Sequence, residues 1–147
     1  MKTYSIDDTA ALAGRVLIAV LFVPSALGKL ANLSVVSQAI GAKGLPLPAL
    51  LAVAVIALEV VASAAIVAGW RVRWAALALG AFTLVAGFLF HDFWNAPQAI
   101  AMAQQQAFFK NVGIVGGLLL LAAHGPGRFA ISSSIPPVSP SLHPEKG

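Results

Sequence analysis

One acidic residue lies in the middle of a long apolar stretch, where a charged side chain is unusual. Glu59 is the only charged residue between Lys43 and Arg71. A carboxylate at the centre of a membrane helix costs about 2.5–3.5 kcal/mol on insertion scales. The side chain must therefore face the protein interior and be ion-paired, hydrogen-bonded or protonated. Two interpretations stay open: a group that contacts a ligand or handles a proton, and a structural tie between helices.

Arg15 is the first candidate partner of Glu59, because it lies about one turn inside the preceding apolar run. If the two runs are antiparallel neighbours, Glu59 lies level with residues 20–22. At 1.5 Å per residue, Arg15 is then about 7–10 Å lower along the helix axis. A guanidinium that reaches upward nearly closes this gap. Alternatively, Arg15 extends to the lipid headgroups, and Glu59 is protonated and unpaired.

A second set of polar residues collects at the ends of apolar runs. Its members are Lys29, His91, Asp92, Trp94, Lys110 and Asn111. In an up-and-down bundle these residues lie near one membrane face, with several phenylalanines around them. A polar cluster at the mouth of an apolar bundle suits a quinone-like molecule or a lipid headgroup. The plainer interpretation is an interfacial belt, with Trp at the headgroup level and Lys extending to water.

Metal and thiol chemistry find little support in the sequence. The chain has no cysteine, which excludes disulfides and thiolate ligands supplied by this chain. The three histidines, His91, His124 and His143, fall at different levels, so a bis-histidine haem site is not expected. No metal-binding triad, phosphate-binding glycine loop or nucleophile elbow is visible. The sequence predicts no metal site and indicates no reaction, and quinone is the one cofactor that the polar cluster suggests.

The elements that must position these residues are four apolar runs, at residues 10–27, 47–69, 74–90 and 108–123. The chain of 147 residues is 59% hydrophobic and 10% charged, with a mean hydropathy of +0.90, whereas soluble domains are about 25% charged. About 20 apolar residues cross a bilayer as a helix. The runs do not alternate as barrel strands do. The sequence predicts an all-α, integral membrane four-helix bundle, with a helix at residues 98–107 that lies along the interface and continues into the fourth span.

Three further features complete the expected organisation. Residues 1–10 form an N-terminal segment, residues 11–130 the membrane domain, and residues 131–147 a Ser- and Pro-rich tail expected to be flexible. Gly113 and Gly117 have the small-xxx-small spacing of a helix contact within the bundle. The net charge of +4 is scattered over the span ends. The expected partner is therefore the bilayer and not a nucleic acid.

The distribution of basic residues predicts the orientation. Cytoplasmic loops of membrane proteins carry an excess of Lys and Arg. The side of the bundle that holds both termini has Lys2, Arg15, Arg71, Arg73, Arg128 and Lys146, and the other side has Lys29, Lys43 and Lys110. Both termini are therefore expected in the cytoplasm.

Taken together, these residues resemble the DoxX family of small bacterial inner-membrane proteins over about residues 11–130. The resemblance rests on Arg15, Gly28-Lys29, Lys43-Gly-Leu-Pro46, Glu59, Phe88-Leu-Phe-His91-Asp-Phe-Trp94-Asn, Lys110-Asn111, Gly116-Gly117 and Gly125-Pro-Gly-Arg128. It implies a four-helix inner-membrane protein. Relatives linked to membrane redox include the membrane subunit of thiosulfate:quinone oxidoreductase. A membrane subunit or anchor of a redox assembly is therefore expected, with a protein partner and a quinone-like ligand. A non-enzymatic scaffold or a carrier of lipids or small molecules is the alternative, and a homo-oligomer stays open.

Overall fold

The computed structural model describes residues 6–131, and this part of the chain contains five α-helices and no strand. The helices are α1 (Ile6–Ala31), α2 (Leu33–Ala42), α3 (Pro48–Ala68), α4 (Val72–Phe90) and α5 (Gln98–His124). All but α2 are long and apolar enough to cross a membrane. The predicted all-α membrane bundle with four spans is confirmed. The predicted flexible tail, residues 131–147, lies outside the described residues except for Ile131.

The first and last spans are longer than their apolar runs. α1 continues through Pro24 and ends at Ala31, one turn beyond the predicted end of the run. α5 is one continuous helix of 27 residues that begins after Pro97. Residues 98–107 therefore form the first part of α5 and continue into the fourth span, as predicted. At 1.5 Å per residue α5 is about 40 Å long, which exceeds the roughly 30 Å hydrocarbon core.

A short helix between the first two spans was not predicted. α2 has ten residues, too few to cross a bilayer. The chain turns at Asn32, whose side-chain amide donates to the carbonyl of Gly28 at 3.0 Å. α2 then packs against α3 and buries Ile40. It lies beside the end of the bundle where α1 ends and α3 begins.

The spans pack mainly as two antiparallel pairs, α1 with α3 and α4 with α5, joined by contacts between α3 and α4. α1 and α5 are not among the closely packed pairs within the described residues. The buried core consists of Phe22, Ala62, Ile66, Val72, Ala76, Leu79 and Leu118. The closely packed spans therefore follow the order α1, α3, α4, α5, and the buried core draws on all four.

Small residues allow the close packing of α4 against α5, but they are not the glycines that the sequence predicts. A Cβ atom added at Gly113 or Gly117 of α5 would meet nothing within 4 Å in the described residues. The predicted helix contact at these glycines is therefore wrong. The close approach is made from α4, where a Cβ at Gly87 would lie 3.5 Å from the Cβ of Asn111. Glycines on α4, and not those on α5, let the two backbones approach.

Candidate ligand-binding site

A charged pair lies inside the bundle, between α1 and α3. The Nζ atom of Lys29 is 2.8 Å from Oε1 and 3.0 Å from Oε2 of Glu59. Glu59 is 2% exposed, whereas the Lys29 side chain is 27% exposed. Ser25, one turn before Lys29, accepts a hydrogen bond from Nζ and donates to Glu59 Oε1 at 3.3 Å. Both charges are thus compensated, as a charge in an apolar interior requires.

Arg15 does not take part in this site, and both interpretations of its side chain are wrong. It is 0% exposed, so it does not extend to the headgroups. Its Nη2 atom donates to the carbonyl of Phe129, at the opposite end of the bundle from Lys29. Nε and Nη1 have no hydrogen-bond partner among the described residues. Arg15 is instead enclosed by the chain that follows α5.

A cavity of about 300 Å³ adjoins the charged pair and is bounded by α1, α3, α4 and α5. Its polar lining residues are Ser25, Lys29, Glu59, Thr83, His91, Lys110 and Asn111. Its apolar lining residues are Leu21, Phe22, Phe82, Ala86, Phe90 and Ile114. Five of the eight predicted site residues therefore surround one space.

Thr83 and Ser25 are site residues that the sequence reasoning missed. Thr83 lines the cavity and is 5% exposed as a residue, and its hydroxyl oxygen is buried with no hydrogen-bond partner among the described residues. Its spacing could have revealed it, because Thr83, Gly87 and His91 recur every four residues and share one helix face. Ser25 could have been found as the polar residue one turn before Lys29.

His91 is held at the mouth of the cavity. Its Nδ1 atom lies 2.9 Å from Oε1 of Gln104 in the first part of α5. An interaction with the amide oxygen requires Nδ1 to carry the proton, which leaves Nε2 as an acceptor when the ring is neutral. The extension of α5 beyond the apolar run therefore supplies the residue that orients His91.

Asp92 and Trp94 lie beside the cavity and do not line it. Asp92 is 3.3 Å from Nζ of Lys43, and both side chains are about one third exposed. The hydrogen bond from Lys43 is the main cause of a lowered pKa of Asp92. Trp94 packs in an aromatic cluster with Phe88, Phe93 and Phe108, at ring-centroid distances of 5.1–6.0 Å. These residues stabilise the loops that frame the mouth.

The charge of the cavity wall is positive. Lys29 and Glu59 compensate each other, whereas Lys110 has no ion-pair partner in residues 6–131. The same part of the chain holds no group of three His, Cys, Asp or Glu side chains that could bind a metal. The donors present are ammonium, hydroxyl and amide groups, which bind carbonyl or anionic oxygens.

Comparisons with known proteins agree with this architecture. The DoxX family model matches residues 10–92. The inner membrane protein YqjF of Escherichia coli K12 is 35% identical over 126 residues, which cover 86% of this chain and 92% of that relative. The inner membrane protein YphA of the same organism is 29% identical over 120 residues, 82% of this chain and 86% of that protein.

A shorter match is to a protein of fission yeast. The Surfeit locus protein 4 homolog of Schizosaccharomyces pombe is 36% identical over 76 residues, which are 50% of this chain and 25% of that protein. No solved structure matches the chain. The matched family region includes Lys29, Glu59, Thr83 and His91. The chain therefore belongs to the DoxX family, and it is an integral inner-membrane protein with four spans.

Proposed function

We propose that the protein binds the headgroup of a quinone-type amphiphile in the cavity beside Lys29 and Glu59, as a membrane subunit or anchor of a redox assembly. The observation that carries the proposal is a buried hydroxyl without a partner, that of Thr83, on a residue that lines a cavity with a positively charged wall. A buried hydroxyl without a partner costs about 1–3 kcal/mol. A ligand oxygen that accepts its hydrogen bond removes this cost.

The size of the cavity supports a compact ring. Ligand pockets in proteins have volumes of about 300–1,000 Å³, and this cavity of about 300 Å³ is at the lower end. It has space for one headgroup and not for a complete long-chain lipid. Since α1 and α5 are not among the closely packed pairs of the described residues, we expect a lipid-dissolved molecule to enter sideways between them.

The wall chemistry supports a ring with two oxygen acceptors. The Thr83 hydroxyl has no protein acceptor in the described residues. Lys110 has no ion-pair partner there, and the amide of Asn111 adds a further donor. Phe22, Phe82 and Phe90 offer aromatic surfaces to the faces of a planar ring. A quinone combines such a ring with carbonyl oxygens, which accept hydrogen bonds from these donors.

A redox role for this site would need a second protein. The chain has no cysteine, so thiolate-held centres would have to belong to another subunit. In the proposed assembly this chain holds the quinone in the membrane, and the partner subunit delivers or removes its electrons. The partner is expected to dock at the mouth that Asp92, Trp94 and the start of α5 frame.

We also infer that both termini face the cytoplasm. Four crossings put the beginning of α1 and the end of α5 on one side of the membrane. Arg15, Arg71, Arg73 and Arg128 lie towards this end, and an excess of basic residues favours the cytoplasmic side. A fluorescent protein fused to the C-terminus should be fluorescent, and alkaline phosphatase fused there should be inactive. The reverse pattern would overturn the orientation.

The binding experiment uses the purified full-length chain in detergent, titrated with a benzoquinone that lacks a long side chain. Thr83→Val and Lys110→Met should each weaken binding about tenfold, because each removes one hydrogen bond to the ligand. Lys43→Met removes a lysine outside the cavity and should bind like the wild type. Absence of binding to the wild type, or equal binding by all variants, would refute the proposal. Binding without a co-purifying redox subunit would favour the carrier alternative.

A further inference from the structure

A second, apolar groove lies directly beside the polar cavity. It has a volume of about 260 Å³ and runs between α2, α3 and α4. Val36 and Ala39 of α2 form one side, and Val55 of α3 contributes to the base. Lys29 is the only residue with a polar side chain among those that line it. The groove therefore offers a surface for hydrocarbon and no partner for a polar headgroup.

The groove and the polar cavity share one wall. Lys29, Phe82, Ala86 and Phe90 line both spaces. Phe82, Ala86 and Phe90 follow each other at four-residue intervals, so they lie along one face of α4. The ammonium of Lys29 pairs with Glu59 at the cavity, which leaves the hydrocarbon part of its side chain to line the groove.

The wall is lowest in its middle. Ala86 presents a methyl group, whereas Phe82 and Phe90 on either side present phenyl rings. Ala86 is therefore the position at which a hydrocarbon chain would cross the shared wall. A polar compartment and an apolar compartment joined at a small residue match the two parts of an amphiphile.

We propose that the groove holds the hydrocarbon chain of the same molecule whose headgroup occupies the cavity. This inference rests on the proposed function and specifies the ligand class as an amphiphile with one chain, such as an isoprenoid or alkyl quinone. α2 then acts as the outer wall of the chain site. That role gives a reason for a helix too short to span the membrane to pack beside α3 and α4.

Affinity alone is a poor test of this inference. A chain that leaves lipid or detergent for the groove exchanges one apolar environment for another, so the hydrophobic effect contributes little. The informative measurement is the position of the chain. We therefore choose a benzoquinone with a photoreactive diazirine on its alkyl chain, and the cross-linked residues are identified by mass spectrometry of the full-length protein.

The expected product is a cross-link within α2, near Val36 and Ala39, that excess unlabelled long-chain quinone suppresses. Ala39→Phe fills the groove and does not touch the cavity. It should reduce the α2 cross-link at least about fivefold and leave the affinity for the quinone without a long chain within about twofold of the wild type. Ala42→Phe makes the same change at a position of α2 that does not line the groove, and it should label like the wild type.

The outcomes separate this inference from the proposed function. If the chainless quinone binds but the probe labels only the lipid-facing sides of α1 and α5, the headgroup site stands and the chain site is refuted. The chain site is also refuted if Ala39→Phe leaves the α2 cross-link unchanged, or if unlabelled quinone does not compete. If the chainless quinone does not bind, the proposed function itself fails.

Discussion

The Nζ atom of Lys29 lies 2.8 and 3.0 Å from the two carboxylate oxygens of Glu59, and this pair ties the end of α1 to the middle of α3. Side chains on a helix point towards its N-terminus. Lys29 therefore points back along α1 and Glu59 points back along α3. Because the two helices are antiparallel, the two side chains point towards each other. The contact of Lys29 with Ser25, one turn earlier, reflects the same direction.

Removal of the Glu59 charge should destabilise the protein by about 1–3 kcal/mol. Loss of one partner of a fully buried pair costs about 3–5 kcal/mol, and the partial exposure of Lys29 reduces this value. We expect Glu59→Gln to lower the free energy of unfolding in detergent by this amount. Adding Lys29→Met should recover most of the loss, since no uncompensated ammonium is then left.

The control for this prediction is the other basic residue of α1. Combining Glu59→Gln with Arg15→Met should give no recovery, because Arg15 binds the carbonyl of Phe129 and not Glu59. The three variants form a double-mutant comparison in which only one pair is expected to be coupled. Recovery with Arg15→Met, or none with Lys29→Met, would contradict the assignment of the pair.

The sequence predicted that Glu59 needs a compensating partner, but not which one. The expected level of Glu59, beside residues 20–22, rests on run ends read from hydropathy alone. α1 in fact ends at Ala31, and the Ser25 contact places Glu59 about one turn higher. Helix direction then decides the partner, since Arg15 points away from Glu59 and Lys29 points towards it. A hydropathy pattern contains neither the true helix end nor the side-chain direction.

The four spans were predictable because the bilayer demands long apolar helices. The short helix α2 was not predictable in this way. Its ten residues are too few to cross a bilayer, and a helix of this length depends on packing, here against α3. The sequence predicted one polar group from span ends that lie at the same depth, and the structure places its members Lys29, His91, Lys110 and Asn111 around one cavity. Thr83 escaped notice because a threonine within a span is ordinary until its burial and lack of a partner are known.

Arg15→Met should loosen the chain after α5 without unfolding the bundle. Arg15 donates to the carbonyl of Phe129, and the amide of Ile131 donates to the carbonyl of Ala68 at 3.1 Å. A hydrogen bond from a charged group contributes about 1.5–3 kcal/mol, so amide exchange at Ile131 should rise about tenfold or more. The free energy of global unfolding should change little, because the substitution also removes the unpaired Nε and Nη1 donors.

Arg73→Met is the matched control for this measurement, because Arg73 is exposed at the start of α4. It removes the same charge and should leave exchange at Ile131 unchanged. Unaltered exchange in Arg15→Met would show that the segment is held without the guanidinium. Equal effects of the two substitutions would point to net charge as the cause.

Gly69→Ala should be more damaging than the same change at Gly44. Both glycines have φ of 76°, a left-handed conformation that costs a residue with a side chain about 1–2 kcal/mol. A Cβ at Gly44 meets nothing within 4 Å in the described residues, whereas one at Gly69 would lie 2.5 Å from the Cα of Ala130. We expect about 1 kcal/mol for Gly44→Ala and at least about 2 kcal/mol for Gly69→Ala, measured by unfolding in detergent.

The Gly69 variant has a second readout. Its Cβ would displace the segment that Arg15 holds, so exchange at Ile131 should also rise. Gly44→Ala should not affect that amide, because Gly44 lies in the turn between α2 and α3. Equal losses of stability in the two variants would mean that the backbone conformation alone matters and that the contact with Ala130 does not.

The ion pair between Lys43 and Asp92 should stabilise the protein only above a particular pH. The hydrogen bond from Lys43 lowers the pKa of Asp92 below the ordinary aspartate value of about 3.9. A carboxyl group with a lowered pKa in the folded state contributes stability that is fully present above its unfolded pKa. The contribution declines as the pH falls through the lowered folded pKa, because both states then bind the proton.

The difference in thermal midpoint between wild type and Asp92→Asn tests this window. It should be positive and constant from about pH 5 to 7, and should disappear as the pH falls well below about 3.9. The effect should be small, since both side chains are partly exposed and water screens the pair. In a Lys43→Met background most of this pH dependence should be lost, because the hydrogen bond from Lys43 is the largest cause of the lowered pKa of Asp92. A difference that persists there would assign the effect to another partner of Asp92, because titration of the remaining acidic groups is common to both proteins.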